Sequence, residues 1–166
     1  MKILSVFLVL IIFAGCSQNN ANQQFQTRVD SLQKKLDDTY KPGLGEFMLG
    51  IQLHHAKLWF AGTNQNWKLA DFEVHEIGET LDDIKKYCTD RPEVKSIGVI
   101  DPAINSINEA IKQKDIQSFK KGFIELTNNC NNCHRSNNHE FNVITIPNAL
   151  PVANQDFKPE NRPVAK

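Results

Sequence analysis

The chain has 166 residues, 40% of them apolar, which is room for one domain with a real core once an N-terminal segment is set aside. Its 19 basic residues balance its 19 acidic ones. With no basic excess and no Lys/Arg run, binding to nucleic acid has no electrostatic support, and neither has a polybasic membrane patch.

Lys2 precedes the apolar run Ile3 to Phe13, which gives way to Ala14, Gly15 and Cys16. The run falls short of the ~20 residues that span a bilayer and suits the core of an export signal. It looks like a bacterial lipoprotein signal over residues 1–15. That resemblance implies a lipid on Cys16 and a protein held in the cell envelope, facing the periplasm or the exterior. Residues 16–24 are rich in Asn and Gln and read as a flexible tether. Residues 25–41 follow, with Phe25, Val29, Leu32 and Leu36 spaced four, three, four. The spacing fits either a short coiled coil joining copies of the chain or one amphipathic helix folded back on the domain. Pro42 and Gly43 break it.

The next helix is expected from about Leu44 to Ala61, with Leu44, Phe47, Met48, Ile51, Leu58 and Trp59 on one side and His55 among them. His54 falls at the edge of that face, and Gly62 and Asn64 supply a stop and a turn. From about Asn66 to Tyr87, Ala70, Val74, Ile77, Leu81, Ile84 and Cys88 alternate by three and four, the clearest helical period in the chain. Cys88 then reads as a buried, inert thiol. The stretch to Ile100 reads as a loop. Asp101-Pro102 predicts an N-cap and a first-turn proline for a short helix with the stripe Ile104, Ile107, Ile111. Asp115 caps a last helix with the stripe Ile116, Phe119, Phe123, Leu126 and Cys130. Beyond residue 138 the prolines predict an extended arm, 139–166, laid across the helices. His54, His75 and His139 read as surface residues.

The last helix ends in Cys130-Asn131-Asn132-Cys133-His134. On a helix the two thiols and the imidazole share one face, in phase with the core stripe. The spacing is that of a covalent c-type haem site: two sulfurs bond the porphyrin's vinyl groups and the imidazole reaches the iron. A zinc half-site and a redox dithiol compete with it. Zinc needs ligands converging from several directions, and the chain has no second cysteine pair; a thioredoxin-like dithiol needs strands that the sequence does not offer. Export and haem attachment agree, because c-type haem is joined outside the cytoplasm.

Four helices after Pro42, with Cys-x-x-Cys-His near the end of the last, resemble the class II c-type cytochromes, the group that includes cytochrome c-prime. The phrases Gln52 to Gly62, Asn66 to Ala70, Leu126 to Cys130 and Asn154 to Phe157 resemble a family of bacterial exported cytochrome-like proteins whose activity is undefined. The resemblance implies an all-α fold: a haem-binding four-helix bundle over residues 43–138, between the N-terminal helix and the arm. It implies one covalent haem c on Cys130 and Cys133, with His134 as the proximal ligand. Met48 matches the methionine on the first helix of low-spin class II members. In an up-down-up-down bundle Met48 lies at the level of the motif, whereas His55 is roughly 10 Å further along, so the two are alternative distal ligands.

Three functions of different kinds follow. An electron carrier, its iron closed by Met48 or His55 and its partners redox proteins, comes first. A gas-binding or gas-sensing protein with an open distal site, walled by Ile51 and Leu58, is the alternative. The third is an interaction module whose cysteine pair binds zinc or nothing. No His-Glu-x-x-His pattern, Gly-rich phosphate loop or nucleophile elbow argues for an enzyme, so any turnover would be haem chemistry.

Overall fold

The computed structural model describes residues 21–38 and 42–160. The signal expected over 1–15 and the lipid site Cys16 lie outside the described residues. The chain divides at the Lys41–Pro42 junction into two units. In the first, residues 21–38 form helix α1. It takes in 21–24, which were expected to belong to the tether. Ala and Gln are good helix formers, and the Gln26–Asp30 and Gln33–Asp37 side-chain bonds, 2.9 and 3.0 Å, each brace one helical turn. Phe25, Val29, Leu32 and Leu36 are exposed.

The second unit holds α2 (Leu44–Thr63), α3 (Trp67–Tyr87), a 3-10 helix (Pro92–Ile100), α4 (Asp101–Gln113) and α5 (Ile116–Ser136). The fold is all-α, with no strand among the described residues. No helix among them is long and apolar enough to cross a membrane. Among the four long helices α2 packs along α3, α3 against α4, α4 along α5, and α5 against α2, and the 3-10 helix packs against α3, α4 and α5. The α3 stripe from Ala70 to Ile84 is buried, as its period requires, and Cys88 closes it under the surface.

The end of α2 departs from the expected turn. Gly62 does not stop α2 but lies inside it, where a Cβ would sit 2.0 Å from the Phe119 ring. Its missing side chain is what lets α5 approach. The left-handed residue that ends α2 is Gln65, φ 58°. The amides of Gln65 and Asn66 bond the carbonyls of Gly62 and Ala61, both at 2.9 Å, a Schellman pair that satisfies the freed groups. Lys114 and Asn138, φ 55° and 60°, end α4 and α5 in the same way.

The expected loop before Ile100 is the 3-10 helix, and it buries Ile97 and Ile100, three residues apart on one edge. It runs straight into α4, so Asp101 is the first helical residue and Ile100 stands at the cap position. Asp115 does cap α5, its Oδ1 accepting from the amides of Gln117 and Ser118 at 2.9 and 3.3 Å.

Over its described residues, 139–160, the arm after α5 has no regular structure, yet it is tied down at two places. Near the motif it bonds Asn131 and His134. Far from it, Phe157 is buried against Phe60, with ring centroids 5.7 Å apart. The amide of Asn66, which caps α3, donates to the Lys158 carbonyl at 3.2 Å.

Candidate functional site

The register of α5 is set by its core face. Phe119, Phe123 and Leu126 are buried, and the same face carried onward presents Cys130, Cys133 and His134, all half-buried. These three border a cavity of about 400 Å³, within the size range of small-molecule sites. From α2 come Met48, Ile51 and His55, and from the 3-10 helix Ile97 and Ile100. Both distal candidates therefore share a chamber with the motif. A further cavity of about 270 Å³ is bordered by the same Met48, Cys133 and His134, with Arg91, Glu93 and His139 as its polar wall.

His134 has a defined tautomer. Its Nδ1 lies 2.6 Å from the Asn142 carbonyl oxygen, which can only accept, so Nδ1 carries the hydrogen and Nε2 the lone pair. A metal-ligating histidine is held in this manner, by its other ring nitrogen.

No disulfide joins the two motif cysteines. Burial pushes the Cys130 thiol up to about 11, and proximity to Cys133 adds to that. Burial raises Cys133 as well, opposed by the Asn137 amide 3.6 Å from its sulfur. Both stay protonated near neutral pH, whereas a redox dithiol works through a thiolate of lowered pKa. Among the described residues no group of three or more His, Cys, Asp or Glu is placed to hold a metal ion.

His55 is buried, and its Nε2 lies 2.9 Å from the Thr127 hydroxyl. That hydroxyl donates its one hydrogen to the Phe123 carbonyl, also at 2.9 Å, so it accepts from His55. Nε2 is therefore an N–H, and only Nδ1 keeps a lone pair. The ring rests on Phe123 at 4.4 Å between centroids. Burial holds the imidazole down to about 4, hence neutral.

Two buried carboxylates escaped the sequence reading. Glu73 lies fully inside the α2–α3 contact, 2.6 Å from His54 Nδ1 and 3.5 Å from Lys57 Nζ. His54 is accordingly a half-buried partner of Glu73 and not a surface residue, while His75 is exposed beside Glu79. The signal was present, because Glu73 sits between Ala70, Val74 and Ile77 on the α3 stripe. Glu93 is buried beside the smaller cavity, bonded by Arg91 at 2.7 Å and reached by His139, half-exposed, at 3.3 Å. The Arg91 guanidinium holds its carboxyl below the usual range. No periodicity marks Glu93, which lies in the 3-10 segment.

No protein-family model, no curated protein and no solved structure matches this chain, and the chemistry of Cys130, Cys133, His134 and Met48 is what speaks for its role.

Proposed function

We propose that the chain is an exported monohaem c-type cytochrome in which α2 to α5 form a four-helix bundle of the class II kind. It carries electrons between redox proteins in the cell envelope, held to a membrane by a lipid on Cys16. The single observation that supports this most is the cavity, which Cys130, Cys133 and His134 from one helix share with Met48 from another. The donor set suits a haem better than a bare ion. A porphyrin brings four nitrogen ligands of its own and asks the protein only for axial ones, so a cluster of ligating side chains is not needed. Haem, when bound, supplies a one-electron iron couple.

Each residue then has a task. Cys130 and Cys133 hold the group by their sulfurs, and His134 offers its Nε2 lone pair. Met48 would offer a soft thioether from α2, which together with histidine would raise the potential of a bound haem and leave no open site for other ligands. Ile51, Ile97 and Ile100 give the chamber apolar walls. His55 serves as its wall, with its Nε2–H bonded to Thr127 and only Nδ1 left as a lone-pair donor. The exposed apolar seam of α1 suits pairing with a second copy.

The test is a spectrum of the full chain matured in cells that attach c-type haem. A haem stain surviving denaturation and abolished in Cys130→Ser is expected, with a low-spin reduced form that binds carbon monoxide slowly. Absence of the stain removes the cytochrome reading. A rapid carbon monoxide adduct on five-coordinate iron replaces electron transfer with gas binding.

A further inference from the structure

Asn131 stands between the two cysteines, where a residue is ordinarily only a spacer. Its side chain makes a two-way clamp on the arm: Nδ2 donates to the Ile144 carbonyl and Oδ1 accepts from the Ile144 amide, both at 2.8 Å. Two residues before Ile144 is Asn142, whose carbonyl receives the His134 Nδ1 hydrogen at 2.6 Å. On the other side of that carbonyl the chain is pinned by the turn that ends α5. The His139 amide bonds the His134 carbonyl at 2.8 Å, and the Asn142 amide bonds the His139 carbonyl at 2.9 Å. Between turn and clamp, Asn142 and Val143 are exposed and belong to no helix or strand. The clamp is the tie that fixes the outer side of this loop near His134.

We infer that Asn131 is a positioning residue for His134: it seats the arm so that the Asn142 carbonyl sets the tautomer and ring plane of the imidazole. This rests on the cytochrome reading, since it makes His134 the iron's ligand. A carbonyl accepting from Nδ1–H makes Nε2 the stronger electron donor, which favours the oxidised iron and lowers the potential. Asn131 thereby tunes the redox centre without touching it.

The experiment uses the full haem-loaded chain and compares wild type, Asn131→Ala, Asn131→Gln and Phe157→Ala. All four keep Cys130, Cys133 and His134, so all are expected to retain the denaturation-resistant haem stain. In Asn131→Ala the reduction potential shifts upward, and the His134 Nδ1 hydrogen exchanges with solvent about tenfold faster, the fold-change for losing roughly one hydrogen bond. Asn131→Gln, which keeps an amide, falls between Asn131→Ala and wild type, and it carries the measurement if the alanine variant does not mature. Phe157→Ala loosens the far end of the arm and lowers thermal stability while leaving potential and exchange unchanged. A haem-loaded Asn131→Ala with wild-type potential and exchange overturns the inference, and so does a Phe157→Ala that shifts the potential equally. Wild type without covalent haem instead removes the cytochrome reading beneath it.

Discussion

The two ends of α5 carry the same helical stripe and pack in contrary ways. At its start Phe119 is fully buried, its ring seated on the backbone of Gly62 and meeting Trp67 edge-on at 6.1 Å and Phe123 at 6.2 Å. At its finish Cys130, Cys133 and His134 are only half-buried and face Met48 and Ile51 across a chamber of about 400 Å³. Aromatic rings against a glycine close one end to interior density. Aliphatic walls, two cysteines and a tethered imidazole leave the other bordering an unfilled chamber. His55 and Thr127 mark the level where packing passes from one regime to the other. Stability is therefore expected to rest on the Phe119 end and the proposed chemistry on the Cys130 end, and substitutions along the helix should separate the two.

The largest loss is expected where packing is tightest. Phe119→Ala removes a ring with no exposed surface and should cost about 3–5 kcal/mol, read from the urea midpoint. That is a large share of the ~5–15 kcal/mol that a domain has in total. A loss below about 1 kcal/mol would dissolve the contrast between the ends.

Next comes the boundary residue. His55 ordinarily titrates near 6.5 and is held to about 4 by burial. As pH falls, the unfolded chain takes up the proton first. His55 thus exacts nothing above about 6.5, and stability is lost between 6.5 and 4, by about 3 kcal/mol in full. His55→Gln keeps a donor for Thr127 and cannot titrate. The stability difference, wild type minus His55→Gln, should be nearly flat from pH 7.5 to about 6.5 and then decline steadily to 4.5. Carboxylates common to both proteins, such as Glu93, drop out of that difference. A flat difference would place His55 in a wetter setting than the one described.

What the sequence disclosed follows from which interactions leave a periodic trace. The α3 stripe, the Asp115 cap and the phase of the motif on α5 were all legible, because burial at three-four spacing and capping chemistry repeat from helix to helix. The 3-10 helix hid because Ile97 and Ile100 follow a period of three, too short a run to stand out from a loop. The end of α2 misled because Gln65 takes left-handed backbone where glycine is the usual signal, and Gly62 serves close approach instead. The arm's ties were invisible for another reason: Asn131 with Ile144, and His134 with Asn142, are side-chain to backbone bonds, which impose no pattern on the partner's identity. Pairing Met48 with the motif was legible through the resemblance to class II cytochromes and the levels of antiparallel helices. The Thr127 bond that engages His55 was not.

A subtler break at the packed end is Gly62→Ala. The added carbon meets the Phe119 ring at 2.0 to 2.5 Å, so a helix or the ring must move, at about 1–3 kcal/mol. In a Phe119→Leu background the same substitution should cost distinctly less, since the obstacle is the ring itself. Additivity of the two substitutions in a urea double-mutant cycle would show that Gly62 matters for some reason other than contact with Phe119.

The smallest effect on folding is expected at Met48, and the largest effect on the spectrum. Met48 is half-buried beside the chamber, and leucine is close to it in volume, so Met48→Leu should move the urea midpoint by less than about 1 kcal/mol. Leucine cannot donate a sulfur lone pair. If Met48 is the axial partner of His134, the substituted protein keeps its covalent haem, loses the weak methionine-to-iron band of the oxidised form, turns high-spin when reduced and binds carbon monoxide quickly. An unchanged low-spin spectrum would pass the axial role to another side chain, and His55 Nδ1 is the one remaining lone pair among the two residues that α2 offers. With Nδ1 bound to iron the ring could no longer take up a proton, and the acid sensitivity of His55 would vanish with it. The two outcomes thus differ in pH dependence as well as in colour.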